Sequence, residues 1–155
     1  MVELVPMKQT REFPSAVVTE KQKASIQNGH PWVYADEILS LSAETVVNGS
    51  LVDVLSRKGQ YLGTGLYSEH SQIRIRILDA NANEKYGEPF FARRVKYAVD
   101  YRYLVMKDQV SCCRLIHGEA DGLPGLTVDC YNGILVAEVL SYGMELRKEW
   151  IYAAL

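Results

Sequence analysis

The sequence predicts a mixed α+β protein in which a small β-barrel precedes a unit of helix and strands. Three observations predict it: short apolar or alternating runs fill the first half, an amphipathic helical pattern begins at Pro89, and two apolar runs meet at Asn132-Gly133. The polar, turn-rich segment 79–84 separates the two patterns, so we expect domains 1–80 and 81–155. With 155 residues, 48% of them hydrophobic and 23% charged, the chain has enough apolar surface for one or two such units.

The beginning of the predicted barrel contains a strand, a short helix and a second strand. Residues 16–19 are a β-branched run, and the helical composition of 20–27 stops at Asn28-Gly29, as a helix C-terminus would. Pro31 prevents a helix through the next residues. The aromatic and β-branched segment 32–34 is therefore predicted to be extended.

The rest of the predicted barrel is a hairpin and an alternating strand. Segments 51–55 and 61–67 flank a turn that contains glycine, which is typical of a β-hairpin. In 72–78, isoleucine alternates with arginine. A period of two places the isoleucines on one face and Arg74 and Arg76 on the other, which we expect to face outward.

The second unit is predicted to begin with a long helix. Pro89 suits the first helical turn, and apolar residues then recur at steps of four and three from Phe91 to Met106. These steps place Val95, Val99 and Tyr103 in one apolar stripe. The other faces of the helix carry basic residues, including Arg93 and Arg94.

Two strands and a helical segment follow. The glycine-rich loop 118–125 reverses the chain before the apolar runs 126–128 and 134–140, which are predicted to be strands. From Met144 the residues favour a helix, and the chain stops at Leu155 without a capping residue. We therefore expect the second unit to be truncated.

Charge and cysteine content exclude several classes of function. The net charge of −2 gives no global attraction to nucleic acid, but residues 81–114 hold 7 basic and 4 acidic residues and so favour a local contact. No apolar run approaches the ~18 residues of a membrane span, and residues 1–10 lack the apolar core of a secretory signal. Cys112, Cys113 and Cys130 form no disulfide pattern, which fits a reducing cytoplasm.

None of the motifs predicts a cofactor or metal site. Gly63-Thr64-Gly65 comes nearest to a nucleotide-binding turn, but strand-like residues follow it instead of a helix, which favours a bent strand. The three histidines are too far apart in sequence for metal-ligand spacing. For Cys112 and Cys113, buried structural thiols are favoured over a nucleophile activated by a neighbouring arginine. Glu119 and Asp121 lie in a sharp turn, where carboxylates mostly cap backbone N–H groups, and a catalytic role is the less favoured alternative.

Two groups of residues suit RNA binding. Segment 29–32 places aromatic rings beside a flexible glycine, as stacking on unpaired bases requires. The arginines of the alternating strand and of the long helix supply cations for phosphates. A tryptophan in a small β domain often lies in the core, which is the alternative for Trp32. The predicted RNA-binding residues are Gly29, His30, Trp32, Arg74, Arg76, Arg93 and Arg94.

Three segments resemble a known family. They are 28–34 (NGHPWVY), 59–76 (GQYLGTGLYS, then SQIRIR), and the most specific, 114–129 (RLIHGEADGLPGLTVD). In order and spacing they are similar to the bacterial 23S rRNA cytosine-5 methyltransferases that carry an N-terminal PUA domain. The resemblance covers nearly the whole chain.

The resemblance implies a PUA-like RNA-binding barrel followed by the start of a central α+β domain. In this family a C-terminal Rossmann-type domain holds S-adenosylmethionine and the catalytic cysteines, and no segment here resembles it. We therefore expect no catalytic and no cofactor-binding residue in this chain, and no methylation by the chain alone. The implied partner is ribosomal RNA in the cytoplasm, without a membrane, and a homodimer is left open.

Two other classes of function stay open from the sequence. One is a stand-alone PUA-type RNA-binding module without enzymatic activity. The other is an interaction domain without an RNA ligand, in which the basic helix from Pro89 to Met106 packs on a protein partner.

Overall fold

We describe residues 12–155 of the protein in a computed structural model. The N-terminal segment 1–10, in which the sequence shows no secretory signal, lies outside the described residues. Within the described range the chain forms two sheets and four α-helices. The strands are β1 (Ser15–Val18), β2 (Trp32–Tyr34), β3 (Ile38–Leu41), β4 (Leu51–Leu55), β5 (Tyr61–Tyr67), β6 (Ile73–Asp79), β7 (Cys112–His117), β8 (Leu126–Tyr131) and β9 (Ile134–Val139), and the helices are α1 (Glu20–Gln27), α2 (Glu88–Met106), α3 (Tyr142–Glu145) and α4 (Lys148–Ala154).

The first six strands form one mixed sheet in the order β2-β6-β5-β4-β1-β3. Its neighbouring strands are antiparallel, except β1 and β4, which run parallel. Irregularities of register in four of these pairs are sites where a ladder bends and twists. The sheet curls into a half-barrel. The predicted mixed α+β fold is confirmed, with an open half-barrel in place of a closed barrel.

Helix α1 has the predicted bounds because both of its ends are capped. The Thr19 hydroxyl accepts a hydrogen bond from the Gln22 backbone N–H at 3.1 Å. At the other end, Gly29 adopts a φ of +88°, which favours glycine and stops the helix. The chain then enters β2 within three residues. The α1–β2 loop is thereby held at one edge of the sheet.

Glycine lets β5 and β6 approach closely. A Cβ atom on Gly65 would lie 2.4 Å from the carbonyl oxygen of Arg76 on β6. On the same strand, the buried Thr64 hydroxyl donates to Asp53 at 2.5 Å and lies 2.7 Å from the hydroxyl of Tyr61. Gly63-Thr64-Gly65 is thus an interior segment of β5, as the bent-strand interpretation predicts, and does not fit a nucleotide cofactor.

The second sheet has the order β7-β8-β9 and is antiparallel throughout. The turn between β8 and β9 has positive φ at both Asn132 and Gly133, +52° and +87°, which suits a tight hairpin. Strand β9 is an edge strand of this sheet and exposes Ile134, Leu135 and Val136. The two strands predicted here are confirmed, whereas β7 and the earlier β3 had no clear sequence signal.

Helix α2 matches the predicted helix but buries a different stripe. Phe91 and Val95 are buried as predicted, and Val99 is half-buried. Tyr103, which the spacing places in the same stripe, is 61% exposed. Phe90 and Ala98 are buried as well. The buried residues of α2 therefore all lie in its first three turns, and its C-terminal part is more exposed.

One apolar core spans both halves of the chain. It is centred on Phe90 and Phe91 of α2 and includes Leu66 of β5 and Leu78 of β6. Helix α3 rests on the half-barrel, because a Cβ atom on Gly143 would lie only 2.8 Å from Cβ of Leu66. Side-chain packing thus continues across residue 80. That 1–80 and 81–155 are separate domains stays a prediction.

The start of α1 is joined to the turn before β3 through Glu37. Lys21 Nζ donates to Glu37 Oε1 at 2.5 Å, and the Thr19 hydroxyl donates to Glu37 Oε2. These hydrogen bonds, that from Lys21 first, hold the pKa of Glu37 below its ordinary value of 4.5. Ionised Glu37 therefore stabilises the fold above that value, and the contribution is lost as the pH falls through the lowered pKa.

We expect Glu37→Gln to lower the free energy of unfolding at neutral pH and to make it less dependent on pH below 4.5. Urea unfolding curves at neutral and acid pH measure both effects. The control is Glu44→Gln, which removes the same charge from an exposed side chain. Equal acid sensitivity of the two variants would contradict this role of Glu37.

Candidate RNA-binding surface

The α1–β2 loop presents an exposed imidazole. Gly29 has no atom within 4 Å of the position a Cβ would take, so the loop is open to solvent on that side. The His30 ring stands edge-on to the Trp32 ring at 5.6 Å and lies 6.4 Å from the Tyr34 ring. His30 Nδ1 accepts a hydrogen bond from the Trp32 N–H at 3.3 Å. The loop thus offers a small aromatic surface of the kind that unpaired bases stack on.

Trp32 and Arg76 both contact Glu119 of the second unit. The two residues face each other in the β2–β6 register. Trp32 Nε1 donates to Glu119 Oε1 at 2.8 Å, and Arg76 Nε lies 3.8 Å from the same oxygen. The side chain of Arg76 is only 12% exposed. Burial lowers the pKa of Arg76, and the charge of Glu119 opposes that shift.

The expectation that Arg76 faces outward is therefore wrong. The alternation of β6 does turn its arginines away from the half-barrel core, but the loop between β7 and β8 covers Arg76. Glu119 would compete with a phosphate for the guanidinium. Trp32 is neither fully buried nor free, since its indole N–H is bound.

Arg74 lies apart from this pair. Its Nη1 donates to the carbonyl oxygen of Glu69, and its guanidinium carbon is 5.9 Å from the centre of the Tyr67 ring. These contacts hold the side chain against the neighbouring loop and strand. Arg74 is half-buried, so part of it is available to a ligand.

The basic residues of α2 are largely paired with carboxylates. Arg93 Nη2 lies 2.7 Å from Glu84, and Arg94 Nη2 lies 2.8 Å from Asp79. Both guanidinium groups also stack on the ring of Phe90, at 5.6 and 5.1 Å. The local surplus of positive charge in 81–114 is thus mostly neutralised by neighbouring acids.

The two carboxylates of the β7–β8 loop have different roles. Asp121 Oδ2 accepts hydrogen bonds from the His117 backbone N–H at 2.6 Å and from Arg102 Nη2 at 2.7 Å. This confirms the expected capping role for Asp121. Glu119 does not cap the turn but reaches across to the half-barrel, which the sequence did not predict.

A cleft of about 510 Å³ lies between the α1–β2 loop and the β7–β8 loop. It brings together three predicted RNA-binding residues, Gly29, His30 and Arg94. Arg74 and Arg93 do not line it, and Trp32 and Arg76 lie beside it through Glu119. Tyr97 of α2 also lines the cleft, and sequence analysis missed it because an exposed tyrosine on a polar helix face gives no distinct signal.

The three cysteines differ in exposure. Cys130 is buried and Cys113 half-buried, and burial raises the pKa of the Cys113 thiol. Cys112 is exposed, so the expectation of a buried thiol is wrong there. Among residues 12–155 we find no group of three histidine, cysteine or acidic side chains that could hold a metal ion. Nor does any helix in this range have the length and apolar character needed to cross a membrane.

The curled sheet and the glycine-terminated α1 define a PUA-like domain. Residues 16–80 match the family of that description. Along nearly its whole length the chain is related to ribosomal RNA large subunit methyltransferase I: it is 34% identical over 144 residues to the protein of Klebsiella pneumoniae, and 34% over 145 residues to that of Salmonella typhi. These matches cover 92% and 93% of this chain, and the chain spans 36% of the relatives' length.

Solved structures agree with this fold. A Streptococcus mutans protein described as a SAM-dependent methyltransferase superposes with a TM-score of 0.76 at 16% identity, over 90% of this chain and 36% of its own. A second solved chain, described as a methyltransferase and complexed with SAH, gives 0.75 at the same identity and coverage. The PUA-like domain and the relation to ribosomal RNA methyltransferases, both inferred from the three sequence segments, are thus confirmed.

Proposed function

We propose that this chain is the RNA-binding part of a cytoplasmic S-adenosylmethionine-dependent methyltransferase that modifies cytosine C5 in 23S rRNA. The observation that carries the proposal is the relation to ribosomal RNA large subunit methyltransferase I over 92% of the chain. The match of residues 16–80 to the PUA-like domain supports it. On this proposal, the methyl donor and the catalytic thiolate belong to a further domain of the whole protein, and this chain supplies the contact with RNA.

The predicted RNA-binding residues differ in their access to a ligand. His30 is exposed beside Gly29, and Arg74 is partly accessible. Arg93 and Arg94 can exchange a carboxylate for a phosphate, because their ion pairs are only partly buried. Trp32 and Arg76 are bound to Glu119, so we expect them to support the surface more than to contact RNA. The homodimer stays a prediction that sedimentation velocity can test.

The test is a filter-binding titration of the purified chain with a 23S rRNA transcript at about 50 and about 200 mM salt. We expect binding that weakens steeply with salt, since each phosphate contact adds roughly 0.7 to the slope of log K against log salt for single strands. His30→Ala should weaken binding about fivefold or more, given that loss of stacking on one base costs roughly 1–3 kcal/mol and each 1.4 kcal/mol is tenfold. Arg74→Ala should reduce this slope by roughly 0.7, the contribution of one phosphate contact.

The matched control is His70→Ala, because His70 is an exposed histidine on the loop before β6. It should leave the affinity unchanged. If the His30→Ala and His70→Ala proteins bind the transcript with equal affinity, the α1–β2 loop is not part of the RNA-binding surface. If wild type shows no salt-dependent binding to the transcript, the proposed RNA-binding function fails and the interaction domain without RNA is favoured.

A further inference from the structure

The cleft between the two loops has the size and lining of a ligand site. Its volume of about 510 Å³ lies within the range of roughly 300–1,000 Å³ that is usual for small-molecule pockets. Apolar side chains line much of it, among them Leu62, Ile77 and Leu78. An apolar wall of this kind suits a flat aromatic group better than a hydrated phosphate.

Two aromatic side chains from different elements border the cleft. His30 comes from the α1–β2 loop, and Tyr97 comes from α2. Tyr97 is 59% exposed, so its ring is available to a ligand in the cleft. Unpaired RNA bases stack on rings of this kind.

Glu119 provides a fixed hydrogen-bond acceptor at the cleft. Its Oε1 accepts a hydrogen bond from Trp32 Nε1 and lies 3.8 Å from Arg76 Nε, too far for a second hydrogen bond. The Trp32 contact orients the carboxylate, and the side chain is still 28% exposed. Within the described part of the chain, Oε2 accepts no hydrogen bond. A carboxylate in this state accepts from amino and imino groups and repels phosphate. Arg94 does not reverse that charge, because Asp79 already pairs with it.

Guanine is the base that matches these groups. Its Watson–Crick edge carries two adjacent donors, N1–H and the N2 amino group. The two oxygens of a carboxylate can accept them together, because Oε1 keeps a second lone pair beside its bond to Trp32. We propose that the cleft receives one unpaired guanine of the bound RNA, stacked on Tyr97 with its Watson–Crick edge at Glu119. The inference rests on the proposed RNA-binding function and names a base-specific subsite within it.

The test varies the RNA first, so that the protein fold is not disturbed. Fluorescence anisotropy measures binding of the chain to labelled RNAs of about ten nucleotides. They are oligouridines with guanosine, inosine, uridine or an abasic site at the central position. We expect the abasic site to weaken binding about tenfold, and inosine, which lacks the N2 amino group, to weaken it several-fold.

Two variants of α2 test the stacking residue. Tyr97→Ala should bind the guanosine and abasic RNAs alike. Tyr103→Ala removes an equally exposed tyrosine of the same helix and should keep the preference.

The outcomes separate the two proposals. Equal affinity of wild type for guanosine and abasic RNA overturns the guanine site and leaves RNA binding intact. Binding to the 23S transcript without binding to the short RNAs likewise overturns the guanine site and leaves RNA binding intact. A guanosine preference that survives Tyr97→Ala also overturns it. If neither the transcript nor the short RNAs bind, the proposed function fails and the guanine site fails with it.

Discussion

Replacing Gly65 by alanine is expected to lower the free energy of unfolding by about 3 kcal/mol or more. The added Cβ would meet backbone atoms of β6, at 2.4 Å from the carbonyl oxygen and 2.8 Å from the carbonyl carbon of Arg76. Ile75 Cγ2 would lie at 2.7 Å. A side chain can rotate away from such a contact, but the β6 backbone can yield only by separating from β5. Denaturant unfolding followed by circular dichroism measures the loss.

Gly87→Ala is the control for this substitution. The nearest atom to its added Cβ would be Cδ of Pro89 at 3.7 Å, an ordinary contact distance. Its φ of −91° is open to alanine, so we expect a change of about 1 kcal/mol or less. If Gly65→Ala proves as stable as Gly87→Ala, the close pairing of β5 and β6 is not as described.

The Phe91→Ala substitution is expected to cost about 3–5 kcal/mol and to destabilise both halves of the chain together. Phe91 is fully buried, with ring centres of Phe90 and Trp150 at 5.2 and 6.0 Å. It belongs to the core that Leu66 and Leu78 of the half-barrel also enter. A cavity at this position therefore weakens contacts on both sides of residue 80.

Two tryptophans allow the halves to be followed separately. Trp32 reports on the half-barrel in a Trp150→Phe background, and Trp150 reports on α4 in a Trp32→Phe background. We expect both reporters to shift to the same lower denaturant midpoint in the Phe91→Ala protein. The control is Leu104→Ala, an exposed position on the same helix. Separate midpoints would instead indicate two independent folding units, 1–80 and 81–155.

Local patterns in the sequence were sufficient for much of the fold. Helix α1 and strand β2 were predicted from Asn28-Gly29 and Pro31, whose backbone preferences act within a few residues. The alternation in 72–78 predicted β6, and the recurrence of apolar residues after Pro89 predicted α2. Each of these signals depends only on residues close in sequence. It can therefore be recognised without knowledge of the tertiary structure.

The candidate site depended on contacts that no local pattern encodes. Glu119 meets Trp32 across 87 positions of sequence, so its turn predicted only a capping role. The burial of Arg76 was not predicted for the same reason. The alternation in β6 shows which residues share a face, but not that the β7–β8 loop covers that face. Strand β7, with the sequence CCRLIH, has no alternation and was not predicted.

Strand β9 has a consequence for handling the protein in solution. In the described range it pairs on one side only, and Glu138 is its single charged residue. An apolar edge strand whose outer backbone groups pair with no strand in this range is a template on which a strand of another molecule can add. Strand addition at this edge would increase with protein concentration and raise the apparent mass, so the RNA titrations are best carried out on dilute samples.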